Sequence, residues 1–416
     1  MGAPLTIVDF DDPDFDPFLE FDKGSGLDEI DNPYPVFARL RRQKSVHEGA
    51  LRDQFGLPEN MSITSRSRQF MILGYEEVSQ ALNDGDTFNN GIMAQFYEHG
   101  FGNSINGMDA PDHPRYRKLF QKAFMPNVIT KWGETLVPKV INGLIDKFAE
   151  RSKAELVREF TSEYPFQFIF AQLELPEPDR EIFHKLTVGL TCGATDPAHM
   201  QEASKKIGSY LSQLMEVRRA EAGTDIVSML AHAESEGELL PHDVLVSFLR
   251  QLMNAGGDTT YRGTSALLTG LLTNPDQLDA VRRDRSLVPR AVEEALRWEC
   301  PVATLLRSVS RDVVLGGVDI PAGSQVDIVA GSANRDETHF ENPDQFNIFR
   351  KPARHFGFGF GPHICIGQHL ARLEMTRALN GLLDRLPNLR LDEDMPPPVL
   401  TGMTMRAPRA LHVRFG

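Results

Sequence analysis

The sequence predicts a mainly α-helical protein with a small β-sheet region. Between residues 126 and 295 apolar side chains recur at helical spacing, and the stretch 241–273 is apolar enough to form one long helix. Short apolar runs bounded by turn residues, at 70–73, 313–318 and 325–328, predict strands. Because these strands are short, helices are expected to set the architecture.

The chain is predicted to form a single domain over residues 1–416. Proline and glycine are dispersed along it, and no internal repeat or long low-complexity linker marks a boundary. Residues 1–30 are expected to be an irregular N-terminal segment, and Asn32-Pro33-Tyr34-Pro35 is expected to open a helix. A hydrophobic content of 41% is enough to build a large core.

Composition narrows the choice of partners and compartment. The formal net charge of −14 argues against nucleic-acid binding, which requires a basic face. The cysteines are Cys192, Cys300 and Cys365, an odd number at wide spacing, so they are not a disulfide framework and fit a reducing compartment. The N-terminus lacks the features of a signal peptide, and no run of about 18 apolar residues is present. A cytoplasmic protein without a membrane anchor is expected.

The predicted long helix contains the sequence Ala255-Gly256-Gly257-Asp258-Thr259 near its middle. Two glycines inside a helix cost about 1 kcal/mol each relative to alanine, so they require a reason. One reason is a close crossing with another helix at the two glycines. The other is a local break that forms a groove for a small molecule, with Asp258 and Thr259 as an acid and an alcohol that relay protons.

The stretch Phe358–Gly367 carries the most specific pattern of the chain. Gly359 and Gly361 permit a positive φ, and the apolar residues from 370 to 379 are spaced like one face of a helix. Cys365 is therefore expected at a helix start, where free N–H groups favour an anionic sulfur. A dinucleotide-binding loop does not fit because a proline interrupts the glycine pattern, and a zinc site lacks a second pair of cysteines. An ordinary buried cysteine is the remaining alternative.

Phe358–Gly367 resembles the haem-ligand sequence of the cytochrome P450 superfamily: Phe, two free positions, Gly, a free position, His or Arg, a free position, Cys, a free position, Gly. Every fixed position matches. The sequence from Ala255 to Thr259 resembles a second motif of the family: Ala or Gly, Gly, any residue, Asp or Glu, Thr. The resemblance extends over nearly the whole chain from about residue 30. It is to the soluble, bacterial-type members, and it implies the cytochrome P450 fold.

The resemblance implies a haem-thiolate monooxygenase that hydroxylates its substrate. The implied cofactor is haem b, and the implied oxidant is O2, activated with two electrons that come from NAD(P)H through separate proteins. Asp258 and Thr259 are the implied catalytic residues. The residues implied to bind haem are the iron ligand Cys365 together with His113, Arg117, Arg307, His363, Phe358, Gly359, Ala255 and Gly256.

Glu294 and Arg297 place an acid and a base three positions apart, on one face of a helix. Most such pairs are solvated and contribute less than about 1 kcal/mol to stability. In the resembling family, however, a Glu-x-x-Arg pair is a buried structural element that is linked to an arginine downstream. Arg335 and Arg350 are the candidates for that arginine.

The resemblance also indicates the lining of a substrate pocket. The segments concerned are mostly apolar and carry no evident cation, which predicts a hydrophobic small molecule of terpenoid, steroid or aromatic type as the substrate. The predicted lining residues are Ile92, Phe96, Tyr97, Phe101, Leu252, Met253, Ala303, Thr304 and Met403. For each of them an ordinary place in the hydrophobic core is the open alternative.

A basic patch predicts where an electron donor docks. Arg115, Lys118 and Lys122 are expected to project from the opposite face of the helix that carries His113 and Arg117. The implied donor is an acidic, ferredoxin-type protein with its reductase, and the protein is expected to be a monomer.

Two other functions remain open at this stage. A haem-thiolate peroxygenase is expected to lack the acid and alcohol pair, so Asp258 and Thr259 argue against it. A non-catalytic haem-binding sensor or electron-transfer protein needs no groove in its central helix, and a c-type cytochrome would carry Cys-x-x-Cys-His, which is absent from the sequence.

Overall fold

The computed structural model of the protein describes residues 5–25, 30–57, 67–235 and 237–416. Helices dominate these residues, which confirms the predicted mainly α class. In chain order the α-helices are α1 (Pro17–Ser25), α2 (Tyr34–Gln43), α3 (Tyr75–Asn83), α4 (Gly91–Gly100), α5 (Asp112–Phe120), α6 (Pro126–Ile145), α7 (Tyr164–Gln172), α8 (Arg180–Gly189), α9 (Pro197–Ala220), α10 (Ile226–Ala231), α11 (His242–Leu272), α12 (Pro275–Arg283), α13 (Val288–Trp298), α14 (Ala330–Ala333) and α15 (Gln368–Arg385).

The strands are short and form small separate sheets. The largest sheet has five strands, in the order β1-β2-β10-β7-β3. In chain order the strands are β1 (Val46–Glu48), β2 (Gln69–Ile72), β3 (Phe88–Asn89), β4 (Lys153–Glu155), β5 (Glu234–Ser235), β6 (Glu238–Leu239), β7 (Leu305–Val309), β8 (Val313–Leu315), β9 (Val318–Ile320), β10 (Gln325–Ile328), β11 (Arg390–Leu391), β12 (Leu400–Thr401), β13 (Ala407–Pro408) and β14 (His412–Arg414).

The strands predicted at 70–73 and 325–328 are β2 and β10, which pair in parallel in the largest sheet. The run 313–318 forms part of a hairpin instead of a single strand, because β8 and β9 pair antiparallel around Gly316 and Gly317. These two glycines have φ angles of 55° and 70°, which most other residues avoid. The turn therefore divides the predicted strand.

The centre of the molecule is a helix bundle formed by α6, α7, α11 and α15, whose apolar side chains share the main hydrophobic core. Helix α11 has buried residues on all sides over much of its length, as expected of a helix surrounded by protein. None of the helices in the described ranges is long and apolar enough to cross a membrane.

Helix α11 runs unbroken through Gly256 and Gly257, so the expected local break is wrong. A Cβ atom on Gly256 would lie 2.5 Å from Cδ1 of Ile169, and one on Gly257 would lie 2.5 Å from Cδ1 of Phe166. Both of these neighbours belong to α7. The glycines thus allow a close crossing of α7 and α11, and this contact holds the backbone in helical geometry.

The N-terminal region differs from the expectation of an irregular segment over residues 1–30. Helix α1 lies within this range and packs against α8, with the ring of Phe18 in edge-to-face contact with His184 at 5.1 Å. The expectation is wrong for these residues because tertiary packing, which the local sequence does not specify, stabilises the helix. The parts of that expectation that fall on residues 1–4 and 26–29 lie outside the described residues.

Candidate functional site

A cavity of about 270 Å³ lies between the middle of α11 and the loop that precedes α15. We call it the central cavity. Its wall contains most of the residues predicted to bind a cofactor, brought together from four separate parts of the chain. These residues are Arg117 of α5, Ala255 and Gly256 of α11, Arg307 of β7, and the loop residues Phe358, Gly359, His363 and Cys365. Thr259 of α11, predicted as a catalytic residue, lines the same wall.

The loop around Cys365 is held by its own backbone. Gly359 and Gly361 have φ angles of 70° and 71°, as predicted, and the N–H of Cys365 donates to the carbonyl of Phe358 at 2.9 Å. A Cβ atom on Gly361 would collide with the carbonyl of Leu82 in α3, so only glycine fits there. Cys365 precedes the first residue of α15 by three positions, slightly outside the helix start at which it was expected.

The electrostatic surroundings of Cys365 act in opposite directions. Burial raises the pKa of the thiol above its usual value and outweighs the backbone N–H of Gly367 and the charges of Arg117 and Arg372, which lower it. A metal ion deprotonates a coordinating thiol outright, so a half-buried sulfur beside two cations fits a thiolate ligand of iron. The fit is better than for an inert structural cysteine such as Cys300, whose pKa burial raises to about 12.

Basic side chains converge on the side of the central cavity near α5. The rings of His113 and His363 lie 3.8 Å apart, and Arg117 donates to the carbonyl of Ile364. Burial, together with neighbouring cations, lowers the pKa of His113 to about 4 and that of His363 to about 3. Arg307 is buried in the same cluster, and its charge lowers the pKa of both histidines.

This cluster fits the two carboxylates of haem. The buried Nε2 atom of His113 has no hydrogen-bond partner among the described residues, although buried polar atoms normally have one. The negative charge of Asp109 raises the pKa of His113 and of Arg307. The carboxylate oxygens of Asp109 also accept hydrogen bonds from Asn90. The cations of the cluster are Arg117 and Arg307, and the carboxylates of haem bound beside Cys365 would pair with them.

Asp258 and Thr259 are neighbours in sequence, but their side chains line different cavities. The hydroxyl of Thr259 lines the central cavity and donates to the carbonyl of Ala255 at 2.7 Å. Asp258 accepts a hydrogen bond from Nε of Arg262 at 2.8 Å and lines a second cavity on the other side of α11, next to α1 and α8. We call this second space the outer cavity. Successive residues of a helix are about 100° apart, which explains the separation.

Glu294 and Arg297 form a buried ion pair at 2.8 Å, away from the wall of the central cavity. Arg297 also donates to the carbonyls of Asn334 and Pro343. Arg350, one of the two candidate partners, approaches Glu294 to 3.3 Å. The other candidate, Arg335, pairs with Glu299 instead, so Arg350 takes the downstream position.

Of the predicted substrate-pocket residues in the described chain, Leu252 is the one that lines the central cavity. Met253 follows it along α11, faces a different direction and is fully buried in the main core. Met403 packs in a separate core cluster with Tyr34 and Phe37. The other predicted pocket residues do not line the central cavity either, and their role in substrate binding stays a prediction. They are Ile92, Phe96, Tyr97, Phe101, Ala303 and Thr304.

The predicted basic patch is only partly on one helix. Arg115 and Lys118 are exposed on α5, but Lys122 lies beyond the end of α5 in the short 3₁₀ helix Gln121–Phe124. Its amine donates to the carbonyl of Glu234 at 2.7 Å. The placement of Lys122 on the same helix is therefore wrong, and the role of the patch stays a prediction.

Several residues at the site were missed by the sequence reasoning. Arg262 could have been found, because it follows Asp258 by one helical turn. Arg372 and Asn90 could not, because each reaches the site through contacts between distant parts of the chain: Arg372 lies over the ring of Phe358, and Asn90 lies 2.8 Å from Nε2 of His363.

Comparisons with known proteins agree with this geometry. A family model described as Cytochrome P450 matches residues 194–414. The chain is 37% identical over 340 residues to Cytochrome P450 107B1 of Saccharopolyspora erythraea, covering 77% of this chain and 83% of that protein. It is 35% identical over 315 residues to the Steroid C26-monooxygenase of Mycolicibacterium smegmatis, covering 74% and 78%. The solved structure of Cytochrome P450 CYP109Q5 from Chondromyces apiculatus matches with a TM-score of 0.82 at 30% identity, covering 93% and 96%.

Proposed function

Because this chain belongs to the cytochrome P450 family, we propose that its central cavity binds haem through Cys365 and hydroxylates a hydrophobic small molecule. The protein has the cytochrome P450 fold and is a cytochrome P450 monooxygenase, an oxidoreductase. Such enzymes bind haem b and use O2 together with electrons that originate from NAD(P)H and arrive through partner proteins. Bound haem supplies the oxygen-activating chemistry; the residues of this chain supply the binding, the protons and the shape of the site.

The observation that carries the proposal is the position of Cys365 on the wall of the central cavity, opposite α11 and next to a cluster of buried basic groups. Cys365 supplies the sulfur ligand. Phe358 packs beside the loop. Ala255 and Gly256 line the facing wall and leave space in the cavity because they have little or no side chain. The carboxylates of haem would be held by Arg117, Arg307, His113 and His363, and the Nε2 atom of His113 would gain the partner that it lacks.

Thr259 and Asp258 supply protons from opposite sides of α11. Asp258 would take up a proton from the outer cavity, and the hydroxyl of Thr259 would donate a proton into the central cavity. For a proton to pass between them, the side chain of Asp258 would have to leave Arg262 and turn toward the central cavity. The bond between Thr259 and the Ala255 carbonyl holds the hydroxyl in place. The hydrogen bond from Arg262 holds Asp258 toward the outer cavity.

The lining of the central cavity supports a substrate of terpenoid, steroid or aromatic type. Ile105, Phe248, Leu252 and Leu305 contribute apolar surface, and apolar walls select apolar ligands. In the described part of the chain the arginines on the wall are Arg117 and Arg307, both assigned to haem carboxylates, so neither is left to bind an acidic substrate. The name of the related Steroid C26-monooxygenase supports the steroid class in particular.

For the electron donor we propose an acidic, ferredoxin-type protein that docks at Arg115 and Lys118. Both side chains are exposed on α5, the helix that also carries Arg117 of the haem site, so the donor would sit close to the cofactor. Lys122 flanks this surface. A monomeric state, a cytoplasmic location and a single domain over residues 1–416 stay predictions.

The test of the proposed function is spectroscopic. Purified protein loaded with haem, reduced and exposed to carbon monoxide should show the far-shifted absorption band that a thiolate ligand produces. A library of steroids, terpenoids and aromatic compounds is then screened for ligands that change the spin state of the iron. Absence of the thiolate band would reject haem binding at Cys365, and turnover with peroxide but not with a reductase system would favour a peroxygenase.

A further inference from the structure

Three charged or polar side chains meet behind Phe358, outside the central cavity. Glu293 lies on α13, His355 immediately precedes the cysteine loop, and Arg372 lies on α15. We call them the Glu293 cluster. None of the three belongs to the motifs that identify the haem site, so the proposed function leaves them without a role.

The cluster holds the guanidinium of Arg372 in a fixed place. Glu293 accepts two hydrogen bonds from it, from Nε at 2.6 Å and from Nη2 at 3.1 Å. A third bond runs from Nη1 to the side-chain oxygen of Gln368 at 3.1 Å. In this position the guanidinium carbon lies 4.3 Å from the centre of the Phe358 ring, which is the geometry of a cation–π contact.

His355 connects the cluster to the backbone of the cysteine loop. Its Nδ1 atom accepts a hydrogen bond from the N–H of Gly357 at 3.1 Å, so the proton of the neutral ring lies on Nε2. Nε2 in turn donates to Glu293 at 3.1 Å. Burial raises the pKa of Glu293, but the bonds from His355 and Arg372 outweigh it and hold the pKa at about 2. The carboxylate is therefore charged and ties α13, the loop and α15 together.

We propose that Arg372, fixed by Glu293 and His355, is a positioning residue that raises the reduction potential of the haem bound at Cys365. Its charge acts on the thiolate across the Phe358 ring. Reduction adds negative charge at the iron and its sulfur ligand, and a fixed cation nearby stabilises the reduced form more than the oxidised form. Glu293 acts in the opposite sense, but it lies behind the guanidinium and so is the weaker of the two charges.

The sign of this effect separates electrostatic control from simple support of the loop. Arg372→Gln removes the cation and should lower the potential. Glu293→Gln removes the opposing anion but keeps one side-chain oxygen that accepts a bond from Arg372. Because Gln368 also holds the guanidinium, the cation stays in place and the potential should rise. If the cluster only held the loop in place, both substitutions would loosen it and move the potential in the same direction. Arg372 is partly exposed, so solvent screening limits each shift.

The experiment is a dye-coupled reductive titration of the haem-loaded full chain. We expect opposite shifts for the two variants, each up to about tenfold in the reduction equilibrium, or about 59 mV for one electron. The matched control is Arg385→Gln, which removes the same charge from the far end of α15, where Arg385 pairs with Asp146. Its potential should equal that of the unmodified protein.

Arg372→Lys keeps the charge but not the paired bonds to Glu293, and its potential should fall between those of Arg372→Gln and the unmodified protein. If Arg372→Gln fails to retain haem, Glu293→Gln and Arg372→Lys carry the test. Shifts of the same sign, or shifts no larger than that of Arg385→Gln, would overturn the inference.

The inference rests on the proposed ligation of iron by Cys365. The carbon monoxide spectrum of the unmodified protein distinguishes failure of that proposal from failure of the inference. If that spectrum lacks the thiolate band, the proposed function fails. If the band is present and the potentials do not diverge, only the role of the Glu293 cluster fails.

Discussion

The two walls of the central cavity are built in different ways. On one wall the cysteine loop is fixed by features within a few residues, namely positive φ angles at Gly359 and Gly361 and the bond from Cys365 N–H to the Phe358 carbonyl. On the other wall, α11 presents Thr259 to the central cavity and Asp258 to the outer cavity. Short-range geometry sets the first wall, whereas helical rotation and packing against α7 set the second.

This difference shows why a sequence motif predicts where a residue lies in the fold more reliably than it predicts which way its side chain points. A motif within a tight loop places its key atom directly, because the backbone has few alternatives. A motif on a helix places neighbouring side chains about 100° apart, so each one acts in a different environment. Single substitutions in the cysteine loop should therefore cause a large loss of haem binding or stability. Substitutions of adjacent residues on α11 should instead change different properties of the protein.

The largest effect is expected at the sulfur. Cys365→Ser should abolish the thiolate band of the reduced carbon monoxide complex and monooxygenase turnover, because serine does not supply a thiolate. The control is Cys300→Ser, at a buried cysteine whose Sγ contacts the carbonyl of Val302 at 2.9 Å. That variant should keep the band. A thiolate band that survives in Cys365→Ser would mean that another cysteine binds the iron.

The next effect tests the geometry of the loop. Gly361→Ala combines a positive φ with a collision against α3, whereas Gly317→Ala has a similar φ of 70° and no atom within 4 Å of the added Cβ. We expect Gly317→Ala to lower the free energy of unfolding by about 1 kcal/mol. Gly361→Ala should lower it by about 3 kcal/mol or more and reduce haem content. Equal losses in a denaturant titration would contradict the collision.

On the α11 wall, Thr259→Ala should uncouple electron consumption from product formation without loss of haem. We expect product per electron to fall about tenfold, with peroxide as the replacement product, because the proton is no longer delivered in the right place. Thr273→Ala is the matched control, since its hydroxyl makes the same kind of bond to the carbonyl four residues earlier, at 2.7 Å, outside the cavity. Normal coupling in Thr259→Ala would remove Thr259 from the mechanism.

The smallest effect separates two neighbours of α11. Leu252→Ala should change the affinity for hydrophobic ligands several-fold in spin-state titrations, because Leu252 lines the central cavity. Met253→Ala should leave that affinity unchanged but destabilise the protein by about 2–5 kcal/mol, because Met253 is fully buried in the core. If ligand affinity followed Met253 instead, the assignment of the wall would be reversed.

Much of the site could be predicted from the sequence, in proportion to how local its determinants are. The positive φ angles of the loop glycines and the buried Glu294–Arg297 pair were predicted correctly because each depends on residue types at fixed short spacing. The substrate wall was predicted poorly. Phe96, Tyr97 and Met403 are apolar residues in plausible segments, but an apolar residue fits a core as well as a pocket, and only packing distinguishes the two.

The sequence by itself determined the fold class, the family and the conformation of the cysteine loop, because helical periodicity and the glycine-bounded loop are properties of short stretches of chain. Only the tertiary structure decided that Asp258 faces the outer cavity, that Arg350 and not Arg335 joins Glu294, and that Arg372 lies over Phe358. These contacts join residues on different elements or faces, and their geometry depends on how the helices pack against one another.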